Sequence, residues 1–254
     1  MNKLPTTKPE EMLSLFRSMR KGDVEFSGRI ELSPSDYKGE AMPIVNVDNA
    51  ADMFSVFHEF VDEVRENLAK PLFDRHNNAV VATDGWKMLL CRIPKGMKKT
   101  SAKKAGFFTE NIIPYNWVRV VDFEEPTDYT LSNYYMMATV RKGDGLHGML
   151  QAMARYGKVY DSEDADRKPL FLAIGEKQYC PIGLAKLVDA LFRLGCEKVC
   201  LCEKAPYVGR GISYGTPLYV FGIGGKYNAM GVQMPIRHFE CDGVFVLPLE
   251  KQAA

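Results

Sequence analysis

Apolar residues recur at helical spacing in four stretches of the chain. Residues 10–20 carry Met12, Leu13, Leu15, Phe16 and Met19 after a Pro-bearing polar start, which predicts a short amphipathic helix. Over 48–68 the positions Met53, Phe57, Phe60, Val61, Val64 and Leu68 share one side, with Asp48 or Asn49 as cap and Pro71 beyond the end. Leu146, Met149, Leu150 and Met153 predict a third helix that Gly157 stops, and Leu184, Leu187, Val188, Leu191 and Leu194 a fourth that Gly195 terminates. Between them lie β-rich runs: an interrupted one at 22–32, then 42–47, 79–83, 86–93, 117–121, 129–140, 169–174, 198–202, 217–223, 227–235 and 243–249. Asp84-Gly85, a dipeptide suited to a tight turn, joins 79–83 to 86–93 as a hairpin, and Gly224-Gly225 joins 217–223 to 227–235. Regular β-α-β alternation is missing, so the pattern predicts an α+β fold with mainly antiparallel sheet.

Composition narrows the class without naming a function. The chain has 254 residues, 46% hydrophobic and 26% charged, enough apolar material for a buried core. A formal charge of +1 supplies no global field toward nucleic acid or an anionic membrane, so such binding needs a local patch. The densest basic stretch, 95–106, holds five lysines and no acid, and reads as a solvated mobile loop; 161–168 is a second exposed, charged connection. No apolar run reaches signal-peptide or membrane-span length, which leads us to expect a cytoplasmic protein that does not enter a membrane. The six cysteines fit a reducing compartment, with no structural disulfides.

Catalytic signatures are weak throughout. Cys196, Cys200 and Cys202 are the only close cysteine cluster, and packing explains them more simply than zinc. His58, His76, His147 and His238 fall in no hydrolase or deaminase motif. Residues 221–227 lack the frame and the hydroxyl residue of a phosphate loop. Asp52, Glu59, Asp62, Glu63 and Glu66 read as the solvent side of the helix predicted over 48–68. No catalytic residue, metal site or cofactor is expected.

One motif stands out. Ala82-Thr83-Asp84-Gly85-Trp86-Lys87-Met88-Leu89 resembles the ATDGHRL signature of the bacterial DNA polymerase III beta subunit, the replicative sliding clamp, with Trp86 in place of its histidine. Gly231-Val232-Gln233-Met234-Pro235-Ile236-Arg237 is similar to the closing VVMPMRL of that family, and residues 120–129 echo its DGRFPDY connector. The matches come in the family's order and span roughly residues 40–237.

The resemblance implies a clamp-like fold, helices packed on curved antiparallel sheet, and a non-catalytic platform, a processivity factor for replication or repair proteins. It implies that Thr83, Gly85, Trp86, Lys87 and Met88 together with Val232, Met234, Pro235, Ile236 and Arg237 line an apolar pocket for short linear peptides. Double-stranded DNA is a further implied partner, with Lys98, Lys99, Lys103, Lys104, Arg155, Lys158, Lys186 and Arg193 as the basic positions that face phosphate. A homo-oligomer is expected, because a ring closes only from several subunits. Two clamp-like domains, 1–128 with an N-terminal extension and 129–254, or a single domain with an insertion near 95–168, both accommodate the motifs. Two alternatives stay open: a clamp-derived interaction module, of a kind carried by a phage or mobile element, that does not bind DNA; and an enzyme of unrecognised family.

Overall fold

Local pattern and turn chemistry account for most elements of the computed structural model, which describes residues 28–34, 37, 42–110, 134–156, 171–204, 216–225, 227–236 and 243–249 together with Ser14 and Arg17. The strands are β1 Gly28–Glu31, β2 Leu72–Asp74, β3 Ala79–Thr83, β4 Lys87–Arg92, β5 Tyr134–Arg141, β6 Leu172–Ile174, β7 Lys177–Tyr179, β8 Lys198–Lys204, β9 Leu218–Ile223, β10 Ala229–Gln233 and β11 Gly243–Leu247. The helices are α1 Ala50–His58, α2 Lys99–Ala105, α3 Gly145–Tyr156 and α4 Pro181–Arg193. The sequence expectations over 10–20 (apart from Ser14 and Arg17), 117–121 and 161–168, and at Lys158 and Arg237, lie outside the described residues.

The architecture is α+β. A seven-stranded sheet runs β2-β3-β4-β10-β9-β8-β5 with every neighbour antiparallel. A four-stranded sheet runs β1-β11-β6-β7, parallel except at β6-β7. Strands from both sides of residues 128/129 share the larger sheet, and one core cluster joins α1, α3 and α4 to both sheets. No described helix is long and apolar enough to cross a membrane.

The larger sheet buries both faces. Val80, Ala82, Leu89, Cys91, Val199, Leu201 and Val220 pack with Leu184, Leu187 and Leu191 of α4. Their alternates Val81, Met88, Leu90, Cys200, Cys202, Tyr219, Phe221, Met230 and Val232 form a separate apolar cluster, so strand periodicity divides the side chains between two layers. This explains why 79–83 and 87–92 read as continuous apolar runs rather than as clean alternation.

Two similar units meet in this sheet. In one, α1 is followed by the meander β2-β3-β4; in the other, α4 is followed by β8-β9-β10. They join where β4 pairs with β10, Leu89 opposite Gly231 and Leu90 opposite Met230. The seam ends in matched bonds: Met234 N–H donates to the Trp86 carbonyl (2.8 Å) and Arg92 N–H to the Asn228 carbonyl (2.8 Å).

Several expectations are corrected. The helix predicted over 48–68 starts as anticipated, with Asn49 Oδ1 accepting from Ala51 and Asp52 N–H, but it ends at His58. Asp62 Oδ1 then accepts from Val64 and Arg65 N–H, a local turn that competes with helix, and Val64 is 95% exposed instead of facing the core. The lysine-rich 95–106 is not wholly a loop: Lys99–Ala105 is helical, closed by Gly106 in the left-handed region (φ 109°), because Ala102 and Phe107 give it a buried underside. Residues 42–47 join no ladder; Val45 is 79% exposed, while Val47 is buried and its N–H donates to the Arg193 carbonyl. The short strands β2 and β7, three residues each, left too little pattern to be predicted.

Candidate docking site

The β3–β4 hairpin is folded by its own side chains. Gly85 takes φ 86°, which a residue without Cβ adopts at no steric cost. Asp84 Oδ1 accepts from both Trp86 and Lys87 N–H (2.9 Å each), and the Lys87 ammonium pairs with the same carboxylate. Thr83 Oγ1 donates to the Lys87 carbonyl (2.8 Å) and accepts from Gly85 N–H (3.0 Å). The result is a tip closed by its own side chains that carries Trp86, 67% exposed.

Antiparallel pairing of β4 with β10 brings the second motif alongside. Lys87 lies opposite Gln233 and Met88 opposite Val232, and Met234 N–H closes on the Trp86 carbonyl. Two residues on, Ile236 N–H donates to the Gln178 carbonyl of β7 (2.8 Å). Residues 234–236 therefore bridge the large sheet to the small one. At the junction Trp86 is exposed and Met234 half-buried, while the half-buried Ile236 packs on the cluster of Phe171, Ala173 and Val244.

Not every residue assigned to this surface lies on it. Thr83, Met88, Val232 and Pro235 are buried, Met88 and Val232 as a cross-strand pair inside the second apolar layer. Their part is to hold the hairpin and the seam. Gln233, passed over in the sequence, is 4% exposed; its Nε2 donates to the Cys180 carbonyl (2.9 Å) at the start of α4, and its Oε1 has no partner among the described residues. Arg65, also passed over, lies against the turn: its guanidinium donates to the Asp84 carbonyl and, from Nε, to Asp62 Oδ2 (2.5 Å). That hydrogen bond, the largest influence on the group, holds the Asp62 carboxyl below its ordinary pKa. Their roles at the junction depend on the Asp84 carbonyl for Arg65 and the Cys180 carbonyl for Gln233, partners distant in sequence.

The basic positions are spread over three helices. Lys98, Lys99, Lys103 and Lys104 are all exposed on or beside α2. Lys186 is exposed on α4 and Arg155 near the end of α3. Arg193 is paired with Glu59. α3 is buried from Leu146 to Met153 and α4 shows solvent only a narrow strip, so neither offers a broad basic face.

A buried polar network ties α3 to α4. His147, 1% exposed, places Nε2 2.7 Å from Asp189 Oδ1 and accepts Gly143 N–H at Nδ1 (3.0 Å); Gln151 Nε2 donates to the same carboxylate oxygen (3.0 Å). Burial pushes the Cys196 thiol up to about 12 and raises Cys91 as well, so both are poor nucleophiles near neutrality. Among the described residues no group of three or more His, Cys, Asp or Glu is arranged to hold a metal ion. Compared with protein-family models, curated proteins and solved structures, the chain matches none.

Proposed function

We propose that this chain is a non-catalytic docking platform of the sliding-clamp type, built as a single clamp-like unit, that takes short linear peptides of replication or repair proteins at the Trp86–Met234 junction. The observation that carries this reading is the bond from Met234 N–H to the Trp86 carbonyl. Two motifs that the clamp resemblance assigns to one pocket, far apart in sequence, stand side by side here. The paired helix-plus-meander units meeting at β4–β10 add support, because they are helices behind antiparallel sheet as that resemblance implies. The chemistry suits a peptide: a large exposed aromatic and, joined to it through the backbone bond, a half-buried thioether offer adaptable apolar contact.

The exposed lysines of α2 favour a second contact of the same platform, with the phosphates of duplex DNA. A closed ring around that duplex requires self-association, for which the sheet edges are the natural surface.

Panning a random linear peptide library on the intact chain and measuring the affinity of a recovered, fluorescein-labelled peptide tests the docking reading. Met234→Asp places a charge in the apolar junction and lowers that affinity at least tenfold, a cost of about 1.4 kcal/mol. Unchanged binding in a natively folded Met234→Asp variant removes the junction from the reading.

A further inference from the structure

We infer that Arg65 is a positioning residue for the docking junction: a latch from the turn at residues 62–65 that holds the Trp86 hairpin in its docking orientation. The inference rests on the docking reading for its purpose, but its geometry stands apart from it.

Three observations carry it. First, the guanidinium donates from two of its nitrogens to two different segments, Nε to Asp62 Oδ2 and Nη2 to the Asp84 carbonyl. A planar fork of this kind fixes the angle between the groups it bridges, which a flexible ammonium does not. Second, it grips the residue that folds the turn, since Asp84 already receives Trp86 N–H, Lys87 N–H and the Lys87 ammonium. Third, the hairpin is shaped to receive it. A Cβ built at Gly85 would stand 2.8 Å from Arg65 Nη2 and 3.0 Å from Nη1, so the guanidinium occupies the space that glycine leaves open.

The early end of α1 gains a consequence here. Because the helix stops at His58, the chain turns at Asp62 and delivers Arg65 to the hairpin. Trp86 is then tethered from two sides, through Asp84 to Arg65 and through its own carbonyl to Met234. Breaking the first tether leaves the tip held by its own turn and the seam alone, and a peptide must then pay for ordering the indole.

Trp86 itself reports on the latch. The chain has two tryptophans, so Trp117→Phe leaves Trp86 as the sole emitter. In that background, time-resolved anisotropy of the folded, unliganded protein gives the amplitude of indole wobble. Arg65→Ala raises that amplitude roughly twofold and lowers affinity for the panned peptide roughly three- to tenfold, in line with the modest worth of a half-exposed charged bond. Arg65→Lys, which keeps charge but not the fork, falls between wild type and alanine. Asp62→Asn, the milder change, loosens Trp86 in the same direction and replaces Arg65→Ala should the latter not fold.

Unchanged wobble in a natively folded Arg65→Ala or Asp62→Asn variant overturns the latch, as does increased wobble with unchanged peptide affinity. If wild type recovers no peptide that Met234→Asp rejects while Arg65→Ala still frees Trp86, the latch survives as a hairpin constraint and the docking reading falls. If Met234→Asp abolishes binding while the Arg65 variants alter nothing, the docking reading stands and the latch falls.

Discussion

Replacing Gly231 by alanine puts a methyl group into the contact between β10 and α4. The added Cβ would lie 2.7 Å from Leu187 Cδ2 and 3.3 Å from its Cδ1 and Cγ. Carbon atoms rest at about 3.5–4.0 Å, so the leucine tip must retreat by roughly 1 Å. Leu187 is fully buried, and its retreat displaces neighbours in the main core. Overpacking of this kind costs about 1–3 kcal/mol. Gly231 is not at positive φ, so alanine suits the backbone and recovers about 0.4–1 kcal/mol through the unfolded chain. The net expectation is a loss of roughly 0–2.6 kcal/mol in equilibrium urea unfolding followed by circular dichroism. Leu187→Ala alone costs about 2–5 kcal/mol by opening a cavity, and in that background the Gly231→Ala penalty disappears or reverses because the new methyl fills part of the void. The same effect of Gly231→Ala in both backgrounds would refute the claim that α4 is pressed on the β4–β10 seam.

Four further outcomes follow from the same geometry. Met234→Asp lowers the affinity of a panned peptide at least tenfold without unfolding the chain, and equal affinity in variant and wild type would sink the docking reading. Arg65→Ala frees the indole of Trp86 and weakens peptide binding, as read by anisotropy in the Trp117→Phe background. The depressed carboxyl of Asp62 sets the pH window of that latch: a group whose folded pKa is lowered contributes above its unfolded value and loses its contribution as pH falls through the folded one. Trp86 wobble should therefore hold steady on acidification to the ordinary value of 3.8 and rise only below it, whereas a rise centred above that value would contradict the Arg65–Asp62 bond. Replacing Lys98, Lys99, Lys103 and Lys104 by alanine reduces the salt dependence of duplex binding by up to about 0.9 in log–log slope for each phosphate no longer neutralised, measured between about 50 and 200 mM salt; an unchanged slope would remove α2 from the DNA interface.

Much of the molecule is legible where the signal is local. Asp84-Gly85 between apolar runs foretells the hairpin because a side-chain-capped turn needs those residues at those places. The apolar stripe from Leu184 to Leu191 foretells α4 because one helix face must meet the sheet. The α+β class with mainly antiparallel sheet follows from the order of such elements. Where two states compete, the pattern misleads: Val64 continues the helical stripe, yet a turn at Asp62 sends it into solvent.

Sequence alone thus determined the hairpin, the major helix and most strands of the large sheet, since each depends on interactions within a few residues. The end of α1 at His58, the small sheet assembled from β1, β11, β6 and β7, the bridge of residues 234–236 between sheets and the grip of Arg65 on Asp84 were decided only by tertiary structure. Their physical reason is shared. Backbone groups and charges must be satisfied by whatever partner the fold brings near, and for β10 that partner is β4, a strand from the other end of the chain.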